Sequence, residues 1–96
     1  MNKYDDLIAE GVSDLVIEAF DNYWNHGFEP GSFLRAVICN DLVESVSRAD
    51  PWNSKNLSKI VAYMINNAPI DSWGSYEVYK EWINKGAAFK AIRRLE

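Results

Sequence analysis

The stretch Gly27-Phe28-Glu29-Pro30-Gly31-Ser32-Phe33-Leu34-Arg35-Ala36-Val37-Ile38-Cys39-Asn40-Asp41-Leu42-Val43-Glu44-Ser45-Val46-Ser47-Arg48-Ala49-Asp50-Pro51 decides how this chain reads. Gly27 stands where a left-handed residue ends a preceding helix. A new helix then opens, either with Pro30 at its first position or with Ser32 as N-cap. It is expected to run to Asp50-Pro51, since a proline disfavours helix for the residue before it. At about 100° per residue, Leu34, Ile38 and Leu42 mark the centre of its apolar arc, flanked by Phe33, Val37 and Val46. Asp41 and Ser45 fall inside that arc and Arg48 lies beside it.

A carboxylate buried without partners costs several kcal/mol or takes up a proton, so Asp41 must be satisfied. One way is internal: Asp41 accepts N–H groups from the Trp73-Gly74-Ser75 turn, or pairs with Arg48. The other is functional: Asp41, Ser45 and Arg48 face a pocket, where an acid and an arginine grip a base edge and a phosphate. Gly31 and Ser32 at one helix start, and Gly74 with Ser75 at another, offer free N–H groups to an anion. This is not a P-loop, because no Gly-Lys-Ser/Thr follows.

Outward from this stretch, helical spacing recurs and no segment alternates as a strand does. A first helix is expected over Tyr4–Trp24, on the stripe Ile8, Val12, Leu15, Val16, Ala19, Phe20 and Tyr23. Gly11 weakens it, and Ser13-Asp14 offers an alternative start. A third helix spans about Ser54–Asn67, with Leu57, Ile60, Val61, Met64 and Ala68 on one face, and ends before Pro69. Ser75 caps a fourth, through about Asn84, which Gly86 stops. Phe89, Ile92 and Leu95 suggest a short fifth. The fold class is therefore all-α: a compact bundle of four to five short helices forming a single domain over residues 1–96.

The chain has 96 residues, a hydrophobic content of 48% and a net charge of −4. That hydrophobic content is ample for a core and inconsistent with a disordered chain. The acidic balance argues against direct nucleic-acid binding, and no helix clusters Arg or Lys as a DNA-reading helix does. Residues 1–50 hold ten acids against three bases, and residues 51–96 four against seven. Lys85, Lys90, Arg93 and Arg94 make a basic tail suited to an acidic first helix, in the same subunit or a neighbour. Four tryptophans (Trp24, Trp52, Trp73, Trp82) are many for so small a domain, so some are expected at an interface in a homo-oligomer or with a partner.

A single cysteine, Cys39, forbids an internal disulfide and suits a reducing cytoplasm. No apolar run reaches about 18 residues, so no membrane span is expected. His26 is the only histidine and lies on a different element from Cys39, so no dyad forms between them. No metal-ligand pattern and no cofactor motif is present. The expectation is a non-enzymatic protein.

From Gly27 to Gly86 the chain resembles a group of small phage and prophage proteins of unassigned function. The residues that carry the resemblance are Pro30-Gly31-Ser32-Phe33-Leu34, Ala36-Val37, Asn40-Asp41-Leu42, Arg48-Ala49-Asp50 and Asn53, then Ile60-Val61, Asn67, Pro69, Trp73-Gly74-Ser75 and Trp82. The motif-bearing part is thus 27–86. The resemblance implies a phage context and supplies no catalytic residue, which favours stoichiometric binding in counter-defence. In one reading the protein sequesters a nucleotide-like immune signal, using Gly31, Ser32, Arg35, Asp41, Arg48, Trp52, Trp73 and Ser75. In the other it is an acidic inhibitor that docks Asp5, Asp6, Glu10, Asp14, Glu18 and Asp21 on a host defence or transcription protein.

Overall fold

Two glycines decide how the longest helices meet. In the computed structural model, which describes the backbone of residues 11–95 and the side chains of 11–86, Gly27 and Gly86 touch backbone to backbone. A Cβ on Gly86 would lie 2.6 Å from both the Gly27 Cα and the His26 carbonyl oxygen. Gly27 ends helix α1 (Asp14–His26) in the left-handed region, at φ 68°. Gly86 was expected to stop a helix at about Asn84. Instead it lies within one continuous helix, and its missing side chain admits the end of α1. The expected fifth helix is the continuation of the fourth.

The described part of the chain is all-α, with six helices and no strand: α1, α2 (Ser32–Ile38), α3 (Leu42–Arg48), α4 (Pro51–Lys55), α5 (Leu57–Asn67) and α6 (Tyr76–Leu95). The first expected helix begins at Asp14 rather than continuing unbroken across Gly11–Ser13. Ser13 caps it by accepting from the Val16 N–H at 3.3 Å. The Tyr4–Glu10 portion lies outside the described residues. Leu15, placed on the buried stripe from the sequence, is 79% exposed. The buried arc centres on Phe20 and Tyr23, and Leu15 sits about 140° from Phe20.

The expected long second helix is two helices. Its first half starts at Ser32 with Gly31 as an N-cap that makes no side-chain bond, so Ser32 is not the cap. It ends at Ile38 with Cys39 as C-cap, and Asn40 just beyond takes φ 60°. Asn40 N–H bonds Val37 O at 3.1 Å and Asp41 N–H bonds Ala36 O at 2.9 Å, the paired bonds of a left-handed helix stop. Asp41 then caps α3, accepting from the Glu44 N–H at 3.2 Å. The turn re-aims everything after it: Leu42 and Val46 are 71% and 53% exposed rather than buried.

The third expected helix is likewise divided. Asp50 caps the five-residue α4 by accepting from the Asn53 N–H at 2.7 Å, with Pro51 at the first helical position. Asn56 closes it and hands over to α5, whose Ile60 and Met64 are buried. The core is one cluster centred on Phe20, Tyr23, Ile38, Ile60 and Met64. Phe20 stacks on Trp24 at 4.8 Å, and Trp24 on Tyr63 at 6.1 Å, tying α1 to α5. Tyr23 joins α1 to the rest. Its hydroxyl donates to Ser72 O, its carbonyl accepts from Trp82 Nε1, each at 2.8 Å, and its ring stacks on Tyr79 of α6.

Candidate functional site

Asp41 finds a partner for each of its carboxylate oxygens. One carboxylate oxygen caps α3 and the other accepts from the Tyr76 hydroxyl at 3.1 Å. Ser45 is buried and donates its hydroxyl to the Asp41 carbonyl at 2.7 Å. Arg48 does not pair with Asp41. It bonds Glu44 at 3.2 Å on the exposed side of α3, the one ion pair among the described residues. The Trp73-Gly74-Ser75 turn is held by the Ile38 carbonyl, to which Gly74 N–H donates at 2.8 Å, and not by the Asp41 carboxylate. Asp41 thus lies half-buried at the surface end of a groove, with most of its hydrogen bonding satisfied locally.

That groove runs between α3 and α5, with a volume of about 660 Å³. The buried Val37 and Met64 line it, together with the exposed Leu42 of α3 and with Val61, Ala62 and Ile65 of α5. Asn40, Asp41 and Trp73 line it too, as do Ser54, Lys55 and Ser58, from α4 and the first turn of α5. The size is that of a small-molecule site, and the chemistry has the same balance: an apolar surface with a few polar groups that fix orientation. An aromatic face, an acid and an amide are available for a flat heterocycle. A lysine and two hydroxyls are available for an anionic group.

The other expected ligand residues are scattered. Gly31, Ser32 and Trp52 line a second recess, about 430 Å³, beside Ser13, Leu15, Asp50 and Asn53. An anion there would share the recess with the Asp50 carboxylate. Arg35 lines a third, with Glu29, Tyr79 and Lys80. Arg48 and Ser75 line none of the three. Ser75 caps α6 by accepting from the Val78 N–H at 3.2 Å. The two helix starts that offer N–H groups to an anion, at Gly31-Ser32 and at Gly74-Ser75, do not share a recess. Of the acidic set, Asp14, Glu18 and Asp21 are exposed on α1, while Asp5, Asp6 and Glu10 lie outside the described residues. Of the basic tail, Lys85 is exposed, and the side chains of Lys90, Arg93 and Arg94 lie outside the described set.

Sequence reasoning missed Asn40, Ser54, Lys55 and Ser58. The Ser54-x-x-x-Ser58 spacing around Lys55 was a usable signal, because residues four apart share a helix face. The break at Asn56 weakens that logic, so only the folded chain shows that they meet. Cys39 is buried, and burial pushes its thiol up to about 11. It is an inert small hydrophobe at neutral pH. Burial also raises the Tyr23 hydroxyl, and the bond to Asp41 raises that of Tyr76. His26 is exposed and packs beside Phe28 at 5.2 Å, away from Cys39. Among the described residues, no three His, Cys, Asp or Glu side chains gather to hold a metal, and no helix is long and apolar enough to cross a membrane. No family model, curated protein or solved structure matches the chain.

Proposed function

We propose that the protein works by stoichiometric binding, as a phage-type counter-defence protein, and that the α3–α5 groove sequesters a nucleotide-like ligand. The observation that carries this reading is the meeting of Asp41 and Trp73, both from the motif-bearing part, with Ser54, Lys55 and Ser58 around one groove of about 660 Å³. In this reading Trp73 stacks on the base, and Asn40 and Asp41 read its edge. Lys55, Ser54 and Ser58 take the phosphate. Arg48 has no part in it, because it is paired with Glu44 outside the groove.

The test is native mass spectrometry of protein purified from bacteria with an active immune system, followed by titration of cyclic and linear nucleotides. A co-purifying nucleotide mass is expected, with affinity falling by about tenfold in Lys55→Ala, the loss of one charge-assisted contact. Arg48→Ala should leave affinity unchanged. Protein that carries no small molecule and binds none of these nucleotides overturns the reading. The second reading, an acidic inhibitor of a host protein, draws on Asp14, Glu18 and Asp21, exposed and outside any ion pair among the described residues. Reversing those charges would then abolish activity while nucleotide affinity stayed the same.

A further inference from the structure

Independently of what fills the α3–α5 groove, the recess at the N-terminal end of α1 has a surface that no other described residue covers. Leu15 is 79% exposed and Trp52 is 53% exposed, and both line it. Asp50 lines it as well, with Asp14 and Glu18 on α1 next to Leu15 and one turn on. None of these three acids is in an ion pair among the described residues. Asn53, another lining residue, holds a buried Oδ1 with no hydrogen-bond donor. Apolar side chains this exposed, with carboxylates beside them, fit a segment that brings aliphatic groups together with positive charge.

The chain itself contains such a segment. In the sequence from Lys85 to Glu96, Phe89, Ile92 and Leu95 recur at three-residue steps, with Lys85 before them, Lys90, Arg93 and Arg94 between them, and one acid, Glu96. The backbone there is the last part of α6. It leads away from its own recess. Tyr79 stacks on Tyr23, Trp82 bonds the Tyr23 carbonyl and Gly86 touches Gly27, so α6 advances in the direction in which α1 ends. The recess lies at the other end of α1, about 20 Å back at 1.5 Å per residue. Gly86 already sits at the far end of α1 from the recess, so a tail that continues in this direction meets such a recess on another molecule.

We propose that the basic C-terminal turns of α6 dock in the Leu15–Trp52 recess of a second copy of this chain. The contact is head-to-tail, with different surfaces on the two partners, so it propagates until the rotation closes a ring or, failing closure, builds a filament. It gives the opposite charges of the two halves of the sequence a common purpose. On the recess side, Asp14, Glu18 and Asp50 supply the negative charge of the contact, and Leu15 and Trp52 its apolar surface.

Sedimentation and light scattering of the full chain test this. Wild type is expected to be larger than a monomer and to dissociate as salt rises, because exposed charge pairs are screened over about 8–10 Å. Arg93→Glu with Arg94→Glu should give monomers, as should Asp14→Lys with Glu18→Lys. Mixing these two charge-reversed proteins should restore a heterologous pair. Leu15→Ser and Trp52→Ala should each weaken association by about tenfold or more, as truncation of a central apolar anchor does. Circular dichroism checks that each variant folds. A monomeric wild type, or charge reversals that neither disperse the assembly nor rescue one another, would overturn the proposal. So would an assembly that is lost only on changing Leu42 or Val43. Nucleotide titration of the same variants reads the groove separately, so either conclusion can fail alone.

Discussion

Helices α2 and α3 are each seven residues long, are separated by three residues, and carry comparable aliphatic content, yet one is core and the other surface. In α2, Leu34, Ala36, Val37 and Ile38 are buried. In α3 only Ser45 is, while Leu42, Val43 and Val46 stand 71%, 74% and 53% exposed. The cause is local. Asn40 enters the left-handed region and Asp41 restarts the helix, so a stripe continuous in sequence is re-aimed in space. Apolar pattern alone did not decide burial here. Two polar residues between the helices did, and they leave α3 lining a groove through Leu42 and Ser45 rather than filling the core.

The largest effect should come from deleting bulk on the α2 side. Ile38 is fully buried in the core cluster, so Ile38→Ala should cost about 2–4 kcal/mol in urea unfolding. Leu42→Ala, an equal truncation on α3, should cost under about 0.5 kcal/mol. Equal costs would show that the two helices are packed alike. The hinge should come next. Asn40→Val places a β-branched residue at φ 60° and should cost about 1–2 kcal/mol, whereas Asn40→Gly should be neutral or better. Asp41→Ala removes the α3 cap and the bond from Tyr76, for about 1 kcal/mol in the same assay.

Much of this was written in the sequence. The all-α class, the Gly27 stop, the Ser75 cap and the buried stripe through Ile60 and Met64 all follow from spacing and end signals. The α2–α3 break was present too, in a form that competed with a stronger pattern. Asn40 is a residue that tolerates the left-handed region, and Asp41-x-x-Glu44 has the spacing of a helix start. The run Leu34, Ile38, Leu42 argued for continuity and outweighed them. Gly86 could not be read from sequence at all. A glycine that ends a helix and a glycine that admits a neighbouring backbone look the same until α1 and α6 are brought together. The groove was half legible: Asp41 and Trp73 stood out as unusual, but Ser54 and Lys55 acquire meaning only when the fold brings them to the same groove.

A pH experiment sharpens the comparison at the end of α2. Cys39 closes that helix and is buried, and its thiol is raised from 9.0 to about 11. Between those values the unfolded chain has lost the thiol proton while the folded chain retains it. Stability from this group is therefore complete below pH 9 and declines as pH rises towards 11. Tyr23, raised further by burial, acts in the same direction. Thiolate absorbance near 240 nm should show a midpoint near 11 for native protein, and alkylation at pH 8 should be slow until denaturant is added. A native midpoint near 9 would mean that the α2 end is open to water as α3 is.

The smallest expected effect is also the most selective. Leu42 and Val43 are adjacent and almost equally exposed, but only Leu42 lines the α3–α5 groove. Substituting either by Ser removes little buried area, so unfolding free energies should stay within about 0.5 kcal/mol of wild type. Ligand affinity should separate them. Leu42→Ser places a hydroxyl on an apolar wall and should weaken a groove ligand by about five- to tenfold, an apolar contact of roughly 1 kcal/mol. Val43→Ser should leave affinity unchanged, as measured by isothermal titration with the nucleotide that co-purifies. Equal losses would mean that the ligand covers the outer face of α3 rather than entering the groove. The difference between these neighbours matters because α3 has a single buried residue. With almost no core duty to constrain it, its inner edge is free to serve a ligand, and its outer edge owes nothing to either.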